Sequence, residues 1–101
     1  MPFQEIDLQL LVCMFRNDRI GRHHANIENI LNFCTPKEYR DSRSMGRLKK
    51  RLRRLAGRGY LVRKVGRFEA YSLSMNGVRV VQNWQDGMDI EQINELEDTR
   101  T

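Results

Sequence analysis

An α+β fold, mainly α, is predicted by two changes of period and one of charge. Apolar residues recur at helical spacing up to Arg58. They alternate like strands from Leu61 to Leu73, then return to helical spacing. The basic residues crowd into the middle of the chain and the acids into its end, so one helix is set apart by charge as well as by pattern.

The first helix is expected over Glu5 to Arg16. Leu8, Leu11, Val12 and Phe15 share one of its faces, and Ile6, Leu10, Cys13 and Met14 share the other. A helix apolar on both sides is normally covered on both sides. In a chain of 101 residues the core is small, so the second face (Ile6, Leu10, Cys13, Met14) is expected to meet a second copy in a homodimer. Cover from within the chain is the alternative. Asn17, Asp18 and Gly21 then break the helix.

A second helix is expected from about Asn26, a good N-cap, to Phe33, with Ile27, Ile30, Leu31 and Cys34 as its inward stripe. Thr35, Pro36 and Glu38 have the pattern of a capping box with proline at the first helical position, which opens a short turn broken near Asp41 and Ser42. The third helix runs from Arg43 to Arg58. Met45, Leu48, Leu52 and Leu55 form its narrow apolar seam. At about 100° per residue, Arg43, Arg47, Lys50 and Arg54 fall opposite that seam, flanked by Lys49, Arg51 and Arg53. Gly59 is placed to end it in a left-handed cap.

Leu61 to Val65 and Phe68 to Leu73 read as two strands joined by a tight turn at Gly66 and Arg67. Ser74 caps a fourth helix carrying Val78, Val80, Val81 and Trp84, and Asp86-Gly87 breaks it. Asp89 and Gln92 form a second capping pattern, with Ile90, Ile93 and Leu96 on one side. Residues 1–85 are therefore assigned to one domain and residues 86–101 to an acidic C-terminal extension. A helix that short needs a surface to lie on. A partner subunit near the first helix is the expected surface, with the basic helix or a frayed end as the alternatives.

The net charge of +5 conceals the asymmetry. From Arg40 to Arg67 there are twelve Lys and Arg residues and one acid, Asp41; from Asp86 onward there are six acids and only Arg100. Charge so concentrated implies a polyanionic partner, the alternative being a solvated helix face. No apolar run reaches the length of a transmembrane helix, so no membrane partner is expected. The start, Met1-Pro2-Phe3-Gln4-Glu5, lacks a basic-then-apolar leader, and the chain is expected in the cytoplasm beside the nucleoid.

From Leu48 the chain reads L-x3-L-x2-L-x3-G-Y-L-V-R, then a short basic turn, then Tyr71-Ser72-Leu73-Ser74. This resembles the recognition-helix-to-wing segment of winged helix-turn-helix transcriptional regulators, of the MarR, ArsR and PadR groups and small archaeal and viral relatives. Ser-Met-Asn-Gly-Val from Ser74 resembles the helix after the wing. The likeness covers roughly residues 5 to 84, with 48 to 77 its distinctive part. The segment from Phe33 to Ser44 is longer than the family's usual turn. The resemblance implies a homodimeric, sequence-specific double-stranded DNA-binding regulator of transcription. The N-terminal half of the basic helix would meet base edges in the major groove, which assigns base contacts to Arg43, Ser44, Arg47, Lys50 and Arg51. Arg54 and Arg58 would meet phosphates, with Lys49 at the edge. Arg63, Lys64 and Arg67 match the wing residues that touch backbone or minor groove. The alternative is a winged-helix module for protein or RNA, or a replication or architectural factor. For RNA, Tyr39, Phe68 and Tyr71 are the only candidates for base stacking.

Cys13, His23, His24 and Cys34 lack the closely spaced pairs of a zinc site, so no metal and no cofactor are expected. The cysteines read as small core or interface residues, with a disulfide left open. No phosphate loop, nucleophile elbow or catalytic carboxylate pair is present, and an enzyme is not expected.

Overall fold

The computed structural model describes residues 2–35, 37–39 and 41–100, the side chain of Tyr39 excepted. The chain is α+β and mainly helical. In order it forms α1 (Glu5–Arg16), β1 (Ala25–Asn26), α2 (Ile27–Cys34), one 3-10 turn (Lys37–Tyr39), α3 (Ser42–Gly57), β2 (Leu61–Val65), β3 (Glu69–Leu73), α4 (Met75–Gln85) and α5 (Ile90–Asp98). Pro36, assigned above to the first helical position of the turn, lies outside the described residues.

Side chains close the helix ends. Asn26 accepts from the Asn29 amide, Asp41 from that of Ser44, Ser74 from that of Gly77 and Asp89 from that of Gln92. The other end of α3 is closed by Gly59 at φ +89°. The Gly59 amide donates to the Ala56 carbonyl and the Tyr60 amide to that of Leu55, the paired bonds that a left-handed glycine permits.

The three strands are antiparallel in the order β1-β3-β2. Register pairs Leu61 with Leu73, Arg63 with Tyr71 and Val65 with Glu69. Each pair therefore shares a face of the sheet. β1 has only two residues, too short for an alternating pattern to announce it.

α1 packs against α4, α2 and β3. Leu8 and Leu11 are buried, and so are Leu10 at 0% and Met14 at 1% exposure. This corrects the placement of Leu10 and Met14 in a homodimer face. Leu10 and Met14 are enclosed by their own chain, Ile6 is half-buried, and Cys13 is bonded to Cys34. That disulfide joins α1 to the end of α2, with the two Cα atoms 5.5 Å apart.

The acidic extension also finds its surface within the chain. The Asn94 side chain accepts from the Phe3 amide at 2.6 Å and donates to the Phe3 carbonyl at 3.2 Å. Ile93 joins the core. Glu97, 2% exposed, accepts from the Tyr60 hydroxyl at 3.0 Å and from Arg79 at 2.5 and 3.2 Å. Burial pushes its carboxyl upward, but the hydrogen bonds from Arg79 and Tyr60 outweigh that and hold it below the ordinary range. The tail thus meets α4, Tyr60 and the N-terminal segment of its own chain.

Gly77 is required by the close passage of another strand of chain. A Cβ there would run into the Tyr60 carbonyl oxygen.

Candidate functional site

The strongest local concentration of unneutralised charge lies on α3. Asp41 opens the helix by accepting from both the amide and the hydroxyl of Ser44, each at 2.9 Å. Leu48, Leu52 and Leu55 are buried and Met45 is half-buried, which fixes the helix by its seam. The opposite side must then face outward. Arg43, Arg47, Lys50 and Arg54 are exposed there within an arc of about 60°. None of the four has a hydrogen-bond or ion-pair partner among the described residues.

Arg51, Arg53 and Arg58 are engaged. Arg51 donates to both carboxylate oxygens of Asp7, at 2.9 and 3.1 Å, and to the Gln4 side chain. Asp7 in turn accepts from the Gln4 amide at the start of α1. Arg51 is therefore a strut between α1 and α3, not a side chain open to a base, which corrects its assignment. Arg58 lies over the rings of Phe3 and Tyr60, 5.1 and 5.3 Å from their centroids, and so toward the N-terminal segment. Ser44 is half-buried, and its hydroxyl donates to Asp41. Lys49 is half-buried at the edge of the stripe.

On the hairpin, Arg63 is paired with Glu69 at 2.8 Å, while Lys64 and Arg67 are exposed. Arg53 of α3 reaches the same carboxylate with two bonds, at 3.0 and 3.1 Å, and the Tyr71 hydroxyl donates to it at 2.6 Å. Glu69 thereby clamps β2, β3 and α3 together. The hydrogen bond from Arg53, then that from Tyr71, then the charges of Arg53 and Arg63 bring its carboxyl down to about 2. Burial, with the bond to Glu69, pushes the Tyr71 phenol up to about 12.

Glu69 was not singled out by motif or period. The signal available was compositional: it is the lone acid between Asp41 and Asp86. Among the stacking candidates, Tyr71 is buried, Phe68 is exposed, and the side chain of Tyr39 lies outside the described residues.

Of the expected contact residues, six are open to a partner: Arg43, Arg47, Lys50 and Arg54 on one helix side, and Lys64 and Arg67 on the hairpin. No group of three His, Cys, Asp or Glu residues is placed to hold a metal ion among the described residues. Nor is any helix there long and apolar enough to cross a membrane. No protein-family model, curated protein or solved structure matches this chain.

Proposed function

We propose that this chain is a winged-helix domain that binds double-stranded DNA, with α3 as recognition helix in the major groove and the β2–β3 hairpin as its wing, in the service of transcriptional control. What carries the proposal is the division among the basic residues. Arg51, Arg53 and Arg63 are neutralised inside the molecule, whereas Arg43, Arg47, Lys50 and Arg54 form one exposed stripe without partners among the described residues. A solvated face commonly mixes acids with bases; α3 carries no acid along its length, and a helix fits the width of a major groove. Arg47 and Lys50, one turn apart, are assigned to base edges, and Arg54, Lys64 and Arg67 to phosphates.

A second copy is not needed for this contact. Leu10 and Met14 of α1 are covered within the chain, which removes the reason for a partner there, and an isolated half-site is the expected footprint. Selection from random duplexes distinguishes the two cases, because a palindromic consensus demands a dimer.

The direct test is affinity for the selected duplex as a function of salt. The three phosphate contacts assigned give a slope of log affinity on log salt of about −3. Arg54→Ala flattens that slope by about one unit and weakens all sequences alike. Arg47→Ala relaxes discrimination at one base pair by about 1–3 kcal/mol. Tight binding with a flat salt profile overturns the proposal. So does stronger competition by duplex RNA than by DNA, since the A-form major groove is too deep and narrow for a helix.

A further inference from the structure

Large apolar side chains are exposed at few places among the described residues, and the distal end of the β2–β3 hairpin holds two of them, Val65 at 69% and Phe68 at 66% exposure. Val62, nearer the base of the hairpin, is 42% exposed. The loop between the strands is Gly66-Arg67-Phe68, so Val65 and Phe68 bracket the tip. Neither supports the core, which ends along this hairpin at Leu61, Tyr71 and Leu73. Folding therefore gives no reason for a valine and a phenylalanine in the open.

Their surroundings select the partner. Lys64 and Arg67 flank the tip, and the Arg67 guanidinium lies 5.8 Å from the centroid of the Phe68 ring. The acid next to the tip, Glu69, is already bound by Arg53, Arg63 and Tyr71. A second hairpin docked edge to edge along β2 would bring Arg63, Lys64 and Arg67 of one copy toward those of the other. Like charges oppose that pairing. A polyanion with apolar layers between its charges meets both features at once. The Glu69 clamp, which ties the base of the tip to α3, sets it beside the cationic stripe.

On the DNA-binding reading given above, we propose that the tip is a minor-groove wedge. Phe68 enters between two stacked base pairs, Val65 packs on the adjoining sugars, and Lys64 and Arg67 hold the flanking phosphates. Apolar wedges of this kind part a base step and kink the duplex by about 20–90°. A flexible pyrimidine–purine step is the preferred point of entry.

The test uses the full chain and its selected duplex, carrying a fluorescent adenine analogue at successive positions and an energy-transfer pair at the ends. The wild type is expected to brighten the analogue at one step beside the α3 footprint and to shorten the end-to-end distance. Phe68→Ala is expected to abolish both signals and weaken binding about tenfold, with an unchanged melting temperature because the ring lies outside the core. Phe68→Leu, still an apolar wedge, is expected to keep part of the bend. If wild type and Phe68→Ala bind with the same affinity and bend, the wedge is overturned while the α3 contact stands. If Arg47→Ala also changes nothing, the DNA reading itself falls. Phe68-dependent binding to vesicles containing phosphatidylserine, without distortion of DNA, overturns the wedge in favour of a lipid surface.

Discussion

Helices α1 and α3 both bury a leucine seam, yet they differ on the side opposite it. In α1 that side is also apolar, and Leu10 and Met14 are buried within the chain, in a helix that packs against α4, α2 and β3. In α3 that side holds Arg43, Arg47, Lys50 and Arg54, all exposed. A second apolar face can be completed from within because hydrophobic contact is non-directional and any apolar neighbour suffices. A charged face needs acids at matched positions, and this chain has placed its buried acids elsewhere. Asp7 holds Arg51, Glu69 holds Arg53 and Arg63, and Glu97 holds Arg79. What is left over on α3 is exposed charge with no acid of the chain paired to it among the described residues.

The sharpest way to break this comparison is to charge the second face of α1. Leu10→Glu puts a carboxylate where no water reaches, and it is expected to cost more than about 4 kcal/mol and to unfold the domain. Circular dichroism and a thermal melt check it. A folded variant that has merely lost self-association would show that this face is an interface after all.

Opening the disulfide is expected to cost somewhat less. Cys13 and Cys34 are separated by 21 positions, and the cross-link removes loop entropy from the unfolded chain worth about 3 kcal/mol. The Cys13→Ala/Cys34→Ala double variant, compared with wild type by urea midpoint in the absence of reductant, measures it. A shift much below that would mean that α1 and α2 are held by packing alone.

The disulfide also marks where the sequence stopped being legible. Two cysteines at that spacing carry no geometry of their own, and only the packing of α2 on α1 brings them together. Element types and most helix starts were readable, because Asn26, Ser74 and Asp89 announce caps by local chemistry that the fold does not override. The seam and the outward arc of α3 were readable for the same reason, since one helix defines both. The burial of Leu10 was not, because α1 packs against α4 and β3, more than fifty residues away in the chain. Nor could the pattern divide engaged from open cations: Arg51 and Arg47 look alike until Asp7 is placed beside one of them.

That division predicts opposite behaviour for neighbours on one helix. Arg51→Met leaves Asp7, which is buried, without its counter-charge, at an expected cost of about 2 kcal/mol. Arg47→Met, in the open, is expected to stay within about 0.5 kcal/mol of wild type. Chemical denaturation of the two variants side by side decides it. Equal losses would mean that Arg47 has a partner in the folded chain and that the stripe is not open.

The smallest effect is expected at the clamp between α3 and the hairpin, and it depends on pH. The Glu69 carboxyl falls from an ordinary value of 4.5 to about 2 in the folded chain. A depressed carboxyl binds its proton less readily when folded than when unfolded, so its contribution is complete above about pH 4.5. It fades as the pH falls from there through about 2. The arginines that hold it stay charged throughout and are partly solvated, so the contribution is about 1 kcal/mol or less. Glu69→Gln keeps the acceptor oxygen for Arg53 but removes the charge, and should flatten this acid limb of the stability curve. Glu97, whose carboxyl is also held below the ordinary range, adds to the acid limb, so the measurement must be a difference between wild type and Glu69→Gln at each pH. A difference that grows toward neutral pH and vanishes near pH 2 supports the clamp. A difference independent of pH would mean that Arg53 and Arg63 gain nothing from the charge of Glu69, and that the hairpin takes its angle to α3 from the packing of Leu61, Tyr71 and Leu73 alone.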